Sequence, residues 1–216
     1  MRDLIKNRDG SVKGGLVATV VIVILALIII ATAVGTYNSL VTSQEKIEAA
    51  WSEIDNQYKR RFDLIPSLVN TVKGAADFEK STLEEVTKAR ASVGRTQLPP
   101  GLPNDPAQLQ EYLQAQQSLG SALGRLMVVV ERYPELKANQ NFLTLQDQLE
   151  GTENRIAVAR RDYIEAVRIY NTARRRFPAS IIAGMFGFEK QEQLELEPEV
   201  RETPKVEFDF KKQDDD

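Results

Sequence analysis

The stretch "GGLVATVVIVILALIIIATAVG" contains no charged side chain. As a helix, residues 16–34 span about 28 Å at ~1.5 Å per residue, which matches a hydrocarbon core of about 30 Å. A chain carrying such a run either spends it in a bilayer or loses it by cleavage. Cleavage has some support. Arg2, Lys6, Arg8 and Lys13 resemble the basic start of a secretory signal, and Ala31, Thr32 and Ala33 resemble a small-x-small cut site. However, the apolar part of a signal runs only about 7–15 residues, and this one is longer. We therefore read residues 16–35 as a retained transmembrane helix, preceded by a short cytoplasmic N-terminus at 1–15. The basic residues before the span outnumber those just after it, where Lys46 is the first. By the positive-inside rule the rest of the chain then lies outside the cytoplasm, in a single-pass protein.

Two missing residue types narrow the chemistry. The 216 residues include no histidine and no cysteine. That removes the commonest general base and metal ligand together with all disulfide and thiolate chemistry. With a formal net charge of -3, no basic field favours nucleic acid. We expect no enzyme, no cofactor and no metal site.

Beyond the span, apolar residues recur at alternating steps of three and four, the signature of one helix face. Ile47, Trp51, Ile54, Tyr58, Ile65, Leu68 and Val72 form the first stripe. Ser81, with Glu84 three residues on, has the pattern of a capping box, followed by Leu83, Val86 and Val93. "GRTQLPPGLPND" has too many prolines and glycines for helix and reads as a loop. Asp105 and Pro106 form a strong helix start, leading into Leu109, Tyr112, Gln116, Leu119, Leu123, Leu126, Val130 and Tyr133, with Pro134 as the stop. The last stripe is the longest: Phe142, Leu145, Leu149, Thr152, Ile156, Ala159, Tyr163, Ala166, Tyr170, Ala173 and Phe177. So sustained a repeat predicts coiled-coil-like packing. The expected fold class is all-α: one N-terminal transmembrane helix, then an elongated antiparallel four-helix bundle over 36–177.

Three stripes carry polar interruptions. Three residues on from Tyr58 the first stripe reaches Arg61, the third is broken by Gln116, and the fourth by Thr152 with Glu153 beside it. In an antiparallel bundle all three breaks fall about fifteen residues below the top, roughly 22 Å at the helical rise. Arg61, Gln116, Thr152 and Glu153 are thus expected to form one polar layer, with Arg61 paired to Glu153. Such a layer either sets the register of the helices or holds a ligand, and we favour register. Lys59 and Arg60 are expected on the surface, where they could meet a partner's acidic face. Pro66 should free the carbonyl of Phe62 and kink the helix.

After the last stripe comes "FPASIIAGMFGF", preceded by three arginines. We expect residues 178–188 to lie at the membrane surface, with Ile181, Ile182, Met185, Phe186 and Phe188 against lipid. Folding back to cap the base of the bundle is the competing reading. Residues 189–216 are acidic and read as a disordered tail, within which "KVEFDF" could add as a strand to a partner's sheet edge.

Long stretches resemble the LemA family: "YNSLVTSQEKIEAAWSEIDNQYKRRFDLIPSLVNTVKG", "ERYPELKANQNFLTLQDQLEGTENRIAVARRDYIEAVRIYNTARRRFP" and "IIAGMFGF". Two places depart from the usual pattern. Asp77, Phe78 and Glu79 stand where many members carry a histidine beside the glutamate, and Asp162, Tyr163 and Ile164 replace a common aromatic-Tyr-Asn sequence. The resemblance implies a bacterial single-pass membrane protein with a helical bundle, and the missing histidine weakens any metal-binding role here. It brings no settled activity. The expected function is a membrane-anchored scaffold of the cell envelope, working in a homo-oligomer or with a membrane partner. Because members often occur beside membrane zinc metalloproteases, the resemblance also implies an alternative, an accessory subunit or sensor for such a protease.

Overall fold

A computed structural model describes residues 8–74, 79–96, 98, 101–103 and 105–194, with side-chain placement from residue 15 onward. Among these residues there is no strand. Six helices follow in order: α1 (Arg8–Lys73), α2 (Lys80–Arg95), α3 (Pro106–Val130), α4 (Pro134–Lys137), α5 (Gln140–Arg175) and α6 (Ala179–Phe186).

The apolar run and the first packed stripe lie on one element. α1 runs 66 residues without a break, on the order of 100 Å at ~1.5 Å per residue. No proline or paired glycine falls near residues 33–44 to interrupt the ladder. Every residue from 15 to 32 is exposed, and Ala33 is the first to meet the rest of the fold. The apolar run therefore ends where packing begins.

Two antiparallel pairs organise the remainder: α1 packs along α5, and α2 along α3. An ion pair staples α2 to α3, Glu85 with Arg125, and a second, Glu79 with Arg132 at 3.1 Å, joins the residues just outside their ends. The upper core draws Ile65, Leu68 and Val72 of α1 together with Val86 of α2, Leu119 and Leu126 of α3, and Phe142 and Leu149 of α5. The lower core combines Leu40, Ile47, Trp51 and Ile54 with Ile156, Tyr163, Val167 and Tyr170, and is closed by Ala179, Ile182 and Ala183 of α6. Each fully buried aliphatic side chain here stabilises by about 1.5–3 kcal/mol relative to exposure. Edge-to-face ring pairs, Trp51 with Tyr163 and Tyr58 with Tyr112, both at 5.8 Å between centroids, add about 0.5–1.5 kcal/mol each.

Local signals explain most ends. Asp105 Oδ1 accepts from Ala107 N at 2.8 Å with Pro106 in the first turn, and Asn139 Oδ1 accepts from Asn141 N at 2.9 Å. α2 differs from the reading above. It starts at Lys80 with Glu79 as N-cap and no side-chain cap, so Ser81 lies inside the helix and no capping box forms. Glu79 is engaged with Arg132 instead. α3 ends at Val130, ahead of Pro134, which instead starts the single turn α4 that sinks Leu136 into the core. On α5 the buried face drifts from the stripe. Val167 and Asn171 are buried where the strict repeat points to Ala166 and Ala173, and Phe177 is 83% exposed. A straight helix drifts about 20° per heptad against a 3.5 repeat, so the lower end presents different residues.

Pro66 sits inside α1, and its missing N–H leaves the Phe62 carbonyl without the i+4 donor. Arg90 of α2 supplies a replacement: its Nε donates to Phe62 O at 3.3 Å while its guanidinium lies 3.9 Å from the centroid of the Phe62 ring.

Candidate functional site

Arg61 is 3% exposed, inside the fold. Its position follows from the helix: three residues after Tyr58 and four before Ile65, it must share their inward face. A buried guanidinium needs acceptors, and three surround it. Nη1 donates to Glu153 Oε2 at 2.9 Å, and Nη2 donates to Gln116 Oε1 at 2.7 Å and to the Gln116 carbonyl at 2.9 Å. The Tyr58 ring lies under the guanidinium, 5.2 Å from centroid to carbon. Room comes from α3, where Gly120 stands one turn beyond Gln116. A β-carbon built there would sit 3.4 Å from Arg61 Nη1. Arg61 Nε is buried without an acceptor among the described residues.

The structure thus brings Arg61, Gln116 and Glu153 together from α1, α3 and α5. Thr152 is fully buried at the same level but does not join them, because its hydroxyl donates to its own helix at Gln148 O, 2.7 Å away. The layer is open on one side, the Glu153 side chain being 59% exposed. Lys59 and Arg60 are on the surface, and Lys59 is held by Asp55 at 2.7 Å. One turn below, the Tyr112 hydroxyl donates to Asp55 Oδ1 at 3.2 Å. Burial first, and then the Asp55 charge, push the Tyr112 hydroxyl well above the ordinary tyrosine range. A polar file thus runs from Asp55 through Tyr112 to Gln116 and Arg61. Both Nη atoms of its strongest donor, Arg61, are engaged by protein groups, while Nε is not.

The second candidate region is the base. Tyr37 of α1 meets Phe186 at 5.0 Å and Phe188 at 5.5 Å, both edge to face. α6 is a helix that ends on Gly187 at φ 72, the left-handed position that favours glycine, with Phe188 N donating to Ala183 O at 3.0 Å. Of the five residues expected against lipid, Ile181, Met185 and Phe186 are exposed, at 55%, 73% and 60%. Ile182 is a correction: 9% exposed, it faces inward and caps the lower core. Phe188 is half-buried and packs against that core. The segment both caps and exposes because an eight-residue helix has two faces.

The start of the expected disordered tail is also a correction. Residues 188–194 lie extended along α5, fixed by their main chain. Arg174 Nε donates to Phe188 O at 2.6 Å, and the Tyr170 hydroxyl donates to Glu189 O at 2.9 Å. The Asn171 amide pairs both ways with Gln191, donating to its carbonyl at 2.7 Å and accepting from its N–H at 3.1 Å. Leu194 is buried in the lower core. Composition marks the segment as solvated, but contacts to backbone atoms do not depend on its side chains. The one sequence cue was Asn171, an amide one turn after Val167. The rest of the tail, with "KVEFDF", lies outside the described residues, as do residues 1–7.

Comparison with known proteins adds the following. The profile of the LemA family matches residues 50–208. Magnetosome protein MamQ 2 of Paramagnetospirillum magneticum is 29% identical over 216 aligned residues, covering 89% of this chain and 76% of its own. Magnetosome protein MamQ of Magnetospirillum gryphiswaldense is 27% identical, with the same coverage of both chains, 89% and 76%. Protein LemA of Metamycoplasma hominis is 25% identical over 139 residues, covering 64% of this chain and 59% of its own.

Proposed function

Because the chain belongs to the LemA family, we propose that it is a membrane-anchored helical scaffold of the bacterial envelope, acting through assembly with itself or with a membrane partner. Its soluble part is a four-helix antiparallel bundle of α1, α2, α3 and α5, extracytoplasmic by the charge count. The observation that carries this reading is the continuity of α1. The same helix bears the exposed apolar run at residues 15–32 and the core residues Leu40, Ile47 and Trp51, with no linker between. A rigid post of this kind holds a binding surface at fixed height and orientation above the bilayer. A flexible tether, by contrast, would let a domain search freely.

The Arg61 layer supports the same reading: both guanidinium Nη atoms donate to groups on α3 and α5, which ties three helices together at one height. The surface offered to a partner includes Lys59 and Arg60, which project at this height.

Crosslinking in intact membranes followed by mass spectrometry tests the proposal. A dominant self-pair, or one dominant membrane protein crosslinked near Lys59, supports it. A membrane protease as that partner selects the accessory role over self-assembly. Recovery of the chain from the soluble fraction with no crosslinked partner overturns it.

A further inference from the structure

We propose that the base of the fold is a binding site for anionic phospholipid, with α6 lying in the headgroup layer and Arg175 and Arg176 holding lipid phosphates. This deepens the membrane-anchored reading and rests on it. Three observations carry the inference. The first is height. Ala33, at the end of the exposed apolar run, packs against the same cluster as Ala179, Ile182 and Ala183, and Tyr37 meets Phe186 edge to face. If residues 15–32 fill the hydrocarbon, α6 lies within reach of its edge. The second is shape. Ile181 and Met185, four residues apart on α6, are 55% and 73% exposed and form an apolar face turned away from the bundle, and Phe177, just before the helix, is 83% exposed. The third is charge. Residues 166–188 contain no aspartate or glutamate, and α1 contributes no charged residue between 36 and 44. Arg174 is drawn to the Phe188 carbonyl and Arg175 Nε donates to the Asn171 carbonyl at 3.2 Å, but neither Arg175 nor Arg176 forms an ion pair among the described residues. An apolar face beside unneutralised arginines fits an interface rich in negative headgroups. The strap at 188–194 pins the far end of α6 to α5, so the face is presented in one orientation.

The chain has no native cysteine, which makes site-directed spin labelling direct. Full-length protein is placed in nanodiscs of phosphatidylcholine alone or mixed with phosphatidylglycerol. A nitroxide is attached to Met185→Cys, with Ile29→Cys reporting the anchor and Ser52→Cys reporting water. In phosphatidylglycerol discs the Met185 label is expected to be immobilised and shielded from a water-soluble nickel chelate. Arg175→Gln with Arg176→Gln should lower the ratio of inserted to free label about 25-fold, at about fivefold per cation near an anionic surface. Chelate access at Met185 equal to that at Ser52, with Ile29 still in lipid, overturns the site alone. Equal insertion in both lipids, insensitive to the arginines, overturns the anionic preference. Chelate access at Ile29 overturns the anchor reading and this inference with it.

Discussion

Arg61 Nη1 and Glu153 Oε2 lie 2.9 Å apart across 92 positions of sequence, one side chain 3% exposed and the other 59%. This asymmetry sets the strength of the pair. A fully buried pair loses about 3–5 kcal/mol when one partner is removed, whereas a surface pair is worth about 0–1 kcal/mol. With one member solvated, a coupling of about 1–2 kcal/mol is expected. A double-mutant cycle on Arg61→Met and Glu153→Ala in urea measures it, and a coupling near zero would show that the layer does not fix register.

Pro66 and Arg90 should be coupled in the same sense. Arg90→Ala removes the donor to Phe62 O and the stacked cation, costing about 1–2 kcal/mol. In a Pro66→Ala background the helix supplies its own N–H, so the loss should shrink by about 1 kcal/mol. Equal losses in both backgrounds would mean that Arg90 acts through the ring alone.

Alkali should destabilise the fold through its buried tyrosines. The hydroxyls of Tyr112, Tyr163 and Tyr170 all sit above the ordinary value of 10.0, with burial the leading cause in each. The folded state therefore keeps these protons when the unfolded chain has lost them. Their contribution is complete below about pH 10 and is lost as pH rises toward the higher folded values. The urea midpoint should fall above that pH, and Tyr112→Phe should make the fall shallower. An unchanged alkaline limb in that variant would remove Tyr112 from the account.

The strap along α5 should detach locally. Asn171→Ala deletes both bonds to Gln191, each worth about 0.5–1.5 kcal/mol. Hydrogen exchange at Gln191 should quicken roughly tenfold or more, while the global melting temperature moves little. Asn171→Asp keeps the acceptor and should be intermediate. Unchanged exchange would mean that Leu194, not the amide, holds the segment.

Much of this was legible from spacing because period and burial are linked in a helix. The place of Arg61 on the inward face needs only its distance from Tyr58 and Ile65. Counting along antiparallel helices points to Gln116 and Glu153 as neighbours. Position alone did not reveal where a polar group spends its bonds, so Thr152 reads as a layer member although its hydroxyl turns to Gln148. Ser81 looked like a cap because the motif is local, whereas the start of α2 at Lys80 goes with the long-range Glu79–Arg132 pair. The docked strap is illegible for a different reason: its hydrogen bonds are made by backbone atoms, which every sequence carries. Ile182 was misplaced because an apolar run with no polar residue gives no phase to say which side faces in.

The most direct measurement of the central claim is hydrogen exchange across residues 33–44 of the full-length chain in nanodiscs. If anchor and bundle are one rigid helix, amides from Thr36 to Ser43 exchange as slowly as those around Ile47 and Ile54. Fast exchange confined to residues 36–43, with both flanks protected, would reveal a hinge and contradict the rigid post on which the scaffold reading stands.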